Sequence, residues 1–513
     1  MSPTPGPLRG AALGVLTIAV SLGIFMNVLD TSIANVAIPT LSGDLGVSPD
    51  EGTWVITSFA VSTAIALPLT GWLGKRFGEV RLFVASVLGF TLFSWLCGLS
   101  TSLTMLVVFR VLQGAAAGPM IPLSQSLLLM NYPAEKKAVA LAIWSMTAVV
   151  APVIGPILGG WITDDYSWPW IFYINLPVGL VSAYVTWILL RSRETETARV
   201  PVDVVGLLLL VIGVASLQIV LDKGNDLDWF GSNVIVSLSV LSLVTLSFFI
   251  AWELTDHHPI VDLSLFKEIN FTVGTVAISL GYLAFFGGVV IFPLWLQTQM
   301  GYTATWAGFA AAFIGVLALV ASPIIGRLMS TVDLRAIVSF AFVVFAAVSF
   351  WNASFNTQTA FNQLVLPRLV FGLGVPCFFI PLIAMSLSGL PPNRVASAAG
   401  LTNFLRILGG SFGVSLSILL WDRRQELHDY RLTEHLSVYD PLTQQSLDQV
   451  QRLGLDPLAG AASLARSVSH QAYMLATNDF FWMSGWIFVA LLVLVWFARP
   501  PFTAAGGGSE AAA

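Results

Sequence analysis

"P-L-T-G-W-L", residues 68–73, returns as "P-I-I-G-R-L", residues 323–328, at an offset of 255 (323 minus 68). Both copies end an apolar run of helical length and hold Pro, Gly and Leu at the same places. Two further matches share the spacing. Arg110-x-x-x-Gly114 reappears as Arg368-x-x-x-Gly372 (368 minus 110, 258), and Lys137-x-Val139 is answered by Arg394-Val395 (394 minus 137, 257). Chance likeness among Gly- and Pro-punctuated apolar runs is the alternative, but three matches at nearly one offset read as two related halves.

The composition says what medium those halves occupy. Of 513 residues, 56% are hydrophobic and 10% charged, about half the charge of an average soluble protein. Apolar runs long enough to cross a hydrocarbon core of roughly 30 Å as helices recur along the chain. Alternating ten-residue strands are absent, which excludes an outer-membrane barrel. The first run, preceded by Arg9, continues past signal-peptide length without a small-residue cleavage site and reads as a retained span. Cys97 and Cys377 lie in apolar segments, and the five histidines lie in polar connections. The pattern supports neither a disulfide framework nor a metal or haem site.

Apolar runs between polar punctuation predict fourteen helices: near 11–38, 51–72, 80–100, 102–130, 137–163, 168–190, 204–221, 231–252, 271–298, 303–329, 334–352, 361–388, 394–421 and 474–498. The seventh and eighth have no counterpart in the repeat. The expectation is an all-α membrane protein with an N-terminal six-helix half over 1–190 and two extra helices with linkers over 191–270. A C-terminal six-helix half over 271–498 includes a polar external segment at 422–473, and a disordered tail follows over 499–513. Basic residues, among them Lys75, Arg76, Arg81, Arg191, Arg327 and Arg394, crowd one set of connections, while the other short ones hold only Lys223. That asymmetry predicts both termini on the cytoplasmic side. Within 422–473, "L-T-Q-Q-S-L-D-Q-V-Q-R-L" reads as a short amphipathic helix or a solvated cap. Paired halves place a substrate site at their interface near mid-membrane, opened to alternate sides by rocking.

One acid interrupts the first run, in "F-M-N-V-L-D-T-S-I-A-N-V-A-I-P", residues 25–39. Gly23, Asn27, Asp30, Ala34 and Ala37 follow 4, 3, 4, 3 spacing and form one small and polar stripe, with Phe25, Leu29 and Ile33 on other faces. A charge near a bilayer centre costs roughly 3 kcal/mol on insertion scales, so Asp30 is expected to face protein or a watery cavity. A carboxylate there can hold or lose a proton as its exposure and neighbouring cations change. The alternative is a static buried ion pair. Arg110, with Gln113 beside it, heads a stripe through Gly114, Gly118 and Pro122 that allows close backbone approach. Whether Arg110 contacts Asp30 stays open in the sequence. Arg368 and Arg406 are further embedded cations, so the centre carries more positive than negative charge, which suits neutral or anionic lipophilic substrates over dications. Asn27, Trp144, Tyr282, Trp295, Asn403, Phe404 and Arg406 are the candidates for a substrate cavity.

"L-D-T-S-I-A-N-V-A-I-P", "G-W-L-G-K-R-F-G-E-V-R", "R-V-L-Q-G", "A-P-V-I-G-P-I-L-G-G" and "W-I-F-Y-I-N-L-P-V-G" together resemble the major facilitator superfamily, and within it the fourteen-span drug/proton antiporters. The resemblance implies a proton-coupling role for Asp30 and Arg110 and a gating loop at Gly71, Lys75, Arg76, Gly78 and Arg81. It also implies an antiporter motif at Pro152, Gly155, Pro156, Gly159 and Gly160, which marks exporters; from packing alone its small residues imply only a close helix contact. Lys75 departs from the superfamily, which usually has aspartate there; Glu79 is the nearby acid.

The implied activity is proton-driven export of hydrophobic, neutral or weakly acidic compounds by alternating access from a bacterial inner membrane. No enzyme chemistry, metal, cofactor or nucleic acid is implied. No Gly-rich Lys-Ser/Thr phosphate loop occurs, so the energy source is the proton gradient. The resemblance further implies a periplasmic adaptor and an outer-membrane channel as partners. An importer of the same fold, a channel and a non-transporting membrane partner are the rival readings.

Overall fold

In a lipid medium every backbone polar group must be satisfied within the chain, and helices do this segment by segment. The computed structural model describes residues 8, 10–47, 49–133, 136–198, 201, 203–256, 259–434, 436, 441, 443–445 and 457–502, and they contain helices and no strand. The N-terminal half holds α1 (Ala11–Leu45), α2 (Trp54–Phe77), α3 (Glu79–Gly98), α4 (Leu103–Asn131), α5 (Lys137–Asp165) and α6 (Trp170–Leu190). Then come α7 (Val204–Lys223) and α8 (Asn233–Thr255). The C-terminal half holds α9 (Ile269–Thr298), α10 (Ala304–Leu328), α11 (Leu334–Asn352), α12 (Phe361–Ser386), α13 (Pro392–Glu434) and α14 (Pro457–Val495). Among the described residues, 13 of these helices are long and apolar enough to cross a membrane; α5 is the remaining long one. Arg199, His257, His258, His435, residues 446–456 and the tail 503–513 lie outside the described residues, as do the side chains of Pro152 and Pro156.

Local chemistry sets the ends. Ser102, Asp203, Thr303 and Asp333 accept backbone N–H bonds at the starts of α4, α7, α10 and α11. Gly78 joins α2 to α3 at φ 90°, a conformation that side chains with a Cβ rarely adopt. The two ends the sequence misjudges most flank the polar 422–473 segment: α13 runs past 421 to Glu434, and α14 starts at Pro457 rather than 474. At 43 residues α13 reaches about 65 Å, twice the hydrocarbon core. Much of 422–473 is therefore helical extension, not loop. Arg424 and His428 both meet Asp479 there, at 2.6 and 2.7 Å, and Trp421 donates to Thr477.

The first helix corrects the stripe picture. Gly23, Asn27, Asp30, Ala34 and Ala37 are buried as expected, but so are Leu29 and Ile33. Packing between α5 and α6 encloses α1 on several faces, so polar content rather than amphipathicity marks the stripe.

The halves meet along a tight seam. A Cβ on Gly71 would overlap Ser397 of α13, and one on Gly400 would press on the Leu67 carbonyl of α2. Asn403 donates to Gln125 across the seam at 3.0 Å. The extra helix α7 touches both sides of it: Thr57 of α2 donates to Asp222, Gln218 donates to Ser411 at 2.9 Å, and Ser415 of α13 donates to the Leu221 carbonyl.

Candidate functional site

The close approach of α4 to α2 comes first, because it delivers an arginine to the interior. Cβ atoms on Gly114 and Gly118 would collide with the Phe59 carbonyl and with Ala66. This brings Arg110 under Val55, whose carbonyl accepts from Nε at 2.9 Å. The guanidinium lies over the Phe59 ring at 4.2 Å and over Phe172 at 5.6 Å.

Asp30 completes the site. Its Oδ2 accepts from Arg110 Nη1 at 2.5 Å, and Oδ1 accepts from Gln113 Nε2 at 3.1 Å and from Asn175 Nδ2 at 2.9 Å. Gln113 Oε1 accepts from Arg110 Nη1 at 2.9 Å and from Cys97 Sγ at 3.5 Å, while Asn175 also donates to Ser94 at 2.9 Å. The Arg110 side chain is 0% exposed and that of Asp30 1%, so the pair is wholly desolvated. Every donor to this carboxylate is an N–H. For Asp30 to hold a proton of its own, one donor has to give way to an acceptor.

Sequence spacing names Asp30, Arg110 and Gln113 but not Asn175, which reaches Asp30 from α6. The signal was present, since Asn175 stands within the "W-I-F-Y-I-N-L-P-V-G" motif, yet only helix packing shows where its amide points.

The small residues of α5 divide in two. Gly155 and Gly159 are pressed on Ser32 and Ile33 of α1, whereas a Cβ on Gly160 would meet open space. The expected gating loop is almost wholly helical: Gly71, Lys75 and Arg76 belong to α2 and Arg81 to α3, with Gly78 between them, and Lys75 and Arg76 are exposed in the last turn of α2, Arg76 over Trp72 at 5.4 Å. Glu194, just beyond α6 and absent from the sequence reading, fastens the start of α3. Its carboxylate accepts from the backbone of Val80 and Arg81 at 3.0 and 2.9 Å and pairs with the Arg81 side chain at 3.8 Å. Glu79 instead turns inward and accepts from Ser126 at 2.5 Å. Glu253, near the end of α8, is 4% exposed and accepts from the Val261 N–H at 3.2 Å.

The cavity candidates fall in several places. Asn403 and Arg406 join through a 2.8 Å bond, and Arg406 lies over Tyr282 at 4.9 Å, so these three form one group beside the seam. Trp144 donates to Ser124 at 2.9 Å, Asn27 donates to the Ala117 carbonyl at 3.4 Å, and Phe404 is buried in the principal apolar core. Trp295 belongs to a separate apolar cluster, stacked on Phe355 at 6.3 Å. A small cavity lies elsewhere, in the C-terminal half around Arg368, and none of the seven candidates lines it. No His, Cys, Asp and Glu group among the described residues could hold a metal ion.

The family model of the Major Facilitator Superfamily matches residues 20–414. The chain belongs to that superfamily. Its members are secondary transporters, not enzymes, and the chain is a multi-pass membrane protein of this fold. It is 52% identical to the multidrug export protein EmrB of Escherichia coli strain K12, over 98% of this chain and 99% of that one. It is 47% identical to the fatty acid resistance protein FarB of Neisseria gonorrhoeae, with the same shares covered. Among solved structures, the proton:xylose symporter XylE superposes with a TM-score of 0.61 at 13% identity, covering 96% of this chain and 97% of that one. That likeness carries the fold alone.

Proposed function

We propose that this chain is a proton-coupled exporter of hydrophobic compounds, neutral or weakly acidic, working by alternating access in a bacterial inner membrane. The relatives named for multidrug export and fatty acid resistance support the substrate class. The observation that carries the proton coupling is Asp30, a single carboxylate held by Arg110, Gln113 and Asn175 inside the N-terminal half. In this reading the described arrangement is the proton-released form. Protonation discharges the pair, frees Arg110 and Asn175 to find other partners, and so links the carboxyl to the packing of α1 on α4 and α6. One charge moving through 100 mV supplies roughly 2.3 kcal/mol, enough to bias such a rearrangement. Linkage requires that substrate binding and proton loss favour one another equally in both directions.

The same reading makes α5 a fourteenth span, with both termini cytoplasmic and the α13–α14 extension periplasmic. There it meets an adaptor that leads to an outer-membrane channel. Deleting the tip between α13 and α14 is expected to abolish adaptor pull-down; unchanged recovery would rule out that contact.

The decisive experiment is substrate-induced proton release from purified protein. Wild type is expected to release protons when drug is added, and Asp30→Asn is expected to release none. Equal release from both would remove Asp30 from the mechanism.

A further inference from the structure

The cavity around Arg368 repeats the Asp30 site position by position. Arg368 follows Arg110 by 258, and Gly372 is pressed on the Ile314 carbonyl as Gly114 is on that of Phe59 (314 minus 59, 255). Ser349 and Asn352 of α11 take the places of Ser94 and Cys97 of α3, again at 255. Phe481 and Ser484 of α14 take those of Phe172 and Asn175 of α6, at 309 because the α13–α14 extension intervenes. Even the ring contact recurs: Phe481 lies 5.9 Å from the Arg368 guanidinium, as Phe172 lies 5.6 Å from that of Arg110.

Two positions differ, and both concern the anion. Phe371 stands where Gln113 stands, and Gly288 stands where Asp30 stands, each at 258. Arg368 is 3% exposed, and its Nε and Nη2 have no hydrogen-bond partner among the described residues. Phe292 covers one face of the guanidinium at 3.3 Å. Arg368 and Gly288 both line the cavity, with Ser349, Asn352 and Ser484 as neutral hydrogen-bonding groups and phenylalanines around them. A buried cation without a counter-charge is costly, and a planar guanidinium fits a carboxylate with two parallel bonds.

We propose that this cavity, whose free space of about 10 Å³ in the described state takes no more than about one water, widens to bind the carboxylate of an amphiphilic acid, the head group occupying the place that the Asp30 carboxyl occupies in the other half. Arg368 donates to the carboxylate oxygens, and Ser349 or Ser484 supplies a further O–H. Val289 is on the cavity wall and is 38% exposed, which gives an apolar tail a way out. This inference rests on the reading of the chain as an exporter of hydrophobic compounds, and it names the part that recognises an acidic one.

The test is equilibrium binding of decanoate and decanol to the purified full-length protein in phosphatidylcholine nanodiscs, read by calorimetry without a gradient. Failure here is thus distinct from failure of proton coupling. Decanoate is expected to bind at least about tenfold more tightly than decanol. Gly288→Asp returns an internal carboxylate, and its Cβ meets no clash, the nearest atom being Phe481 Cε1 at 3.9 Å. It is expected to keep or raise thermal stability and to weaken decanoate by about tenfold or more. Should that variant not fold, Arg368→Gln carries the same expected loss. Equal affinity for acid and alcohol, or decanoate binding undiminished in a folded variant, would overturn the proposal. So would displacement of decanoate by chloride, which would make this an inorganic-anion site, or by added phosphatidylglycerol, which would make the occupant a lipid.

Discussion

Arg110 and Arg368 stand one repeat apart, both enclosed, both over phenylalanine rings, and both four residues before a glycine seated on a carbonyl of the neighbouring helix. Around Arg110 the charge is answered within the chain, by Asp30 and by the Val55 and Gln113 oxygens, with Nη2 alone lacking a partner among the described residues. Around Arg368 the carboxylate position is glycine, and two guanidinium nitrogens have no partner among the described residues. The cradle belongs to the fold and is built twice. Its counter-charge is a separate matter, decided by one residue on the first helix of each half.

That comparison breaks most visibly on charge. Arg110→Met leaves Asp30 buried with only amide donors, and removing one member of a buried pair costs about 3–5 kcal/mol. Arg368→Met strands no carboxylate, and replacing an unanswered buried charge by an apolar side chain is neutral or stabilising. Thermal unfolding of the purified variants should therefore show a large fall for the first and little or none for the second. Equal falls would mean that Arg368 has an internal counter-charge after all.

On backbone packing the halves should agree. Gly114→Ala and Gly372→Ala each drive a Cβ onto a carbonyl oxygen, of Phe59 and of Ile314. Overpacking of this kind costs about 1–3 kcal/mol. Similar losses of unfolding temperature in both variants are expected; a loss in one alone would show that the second cradle tolerates movement the first does not.

Between the halves the expected effect is smaller. Asn403 links Gln125 of α4 to Arg406 of its own helix, with bonds of 3.0 and 2.8 Å. Asn403→Leu removes the tie, worth about 0.5–1.5 kcal/mol. In spin-label distance distributions across the seam, the ratio of separated to closed populations should rise by about tenfold or less. An unchanged distribution would show that the Gly71–Ser397 and Gly400–Leu67 contacts hold the seam alone.

That Arg110 meets Asp30 stayed open, while the all-helical membrane fold and the embedded Asp30, Arg110 and Gln113 were legible, because each depends on hydropathy or spacing within one segment. Asn175 and Glu194 were not, since each acts on a helix far from it in sequence, and no periodicity reports that. Trp295 was read as a cavity residue because a buried aromatic on an apolar helix has the same signature in any cluster. The ends of α13 and α14 were missed for another reason. Hydropathy stops at the membrane boundary, but "W-D-R-R-Q-E-L-H-D-Y-R-L-T-E", residues 421–434, is rich in helix formers and continues the helix into polar surroundings.

The smallest contrast is between the loops before α3 and before α11. Before α3 the acid comes from afar: Glu194 accepts two backbone N–H groups, and Glu194→Ala should cost about 1 kcal/mol, as for a lost helix cap. Before α11 the acid is local. Asp333 accepts from the Arg335 backbone at 2.8 Å and from its guanidinium at 2.7 Å, and the hydrogen bond from that side chain holds its carboxyl below the usual carboxylate range. A depressed value stabilises the fold above the ordinary carboxylate pKa, about 3.9, and that contribution is lost as pH falls through the folded value. Asp333→Asn keeps a good capping side chain and removes only the charge. Because the Asp333 side chain is 36% exposed, solvent screening keeps the difference under about 1 kcal/mol. Unfolding temperatures of variant and wild type should differ slightly at neutral pH and converge in acid. A difference that persists once the carboxyl is protonated would place the effect in the cap geometry, not in the ion pair.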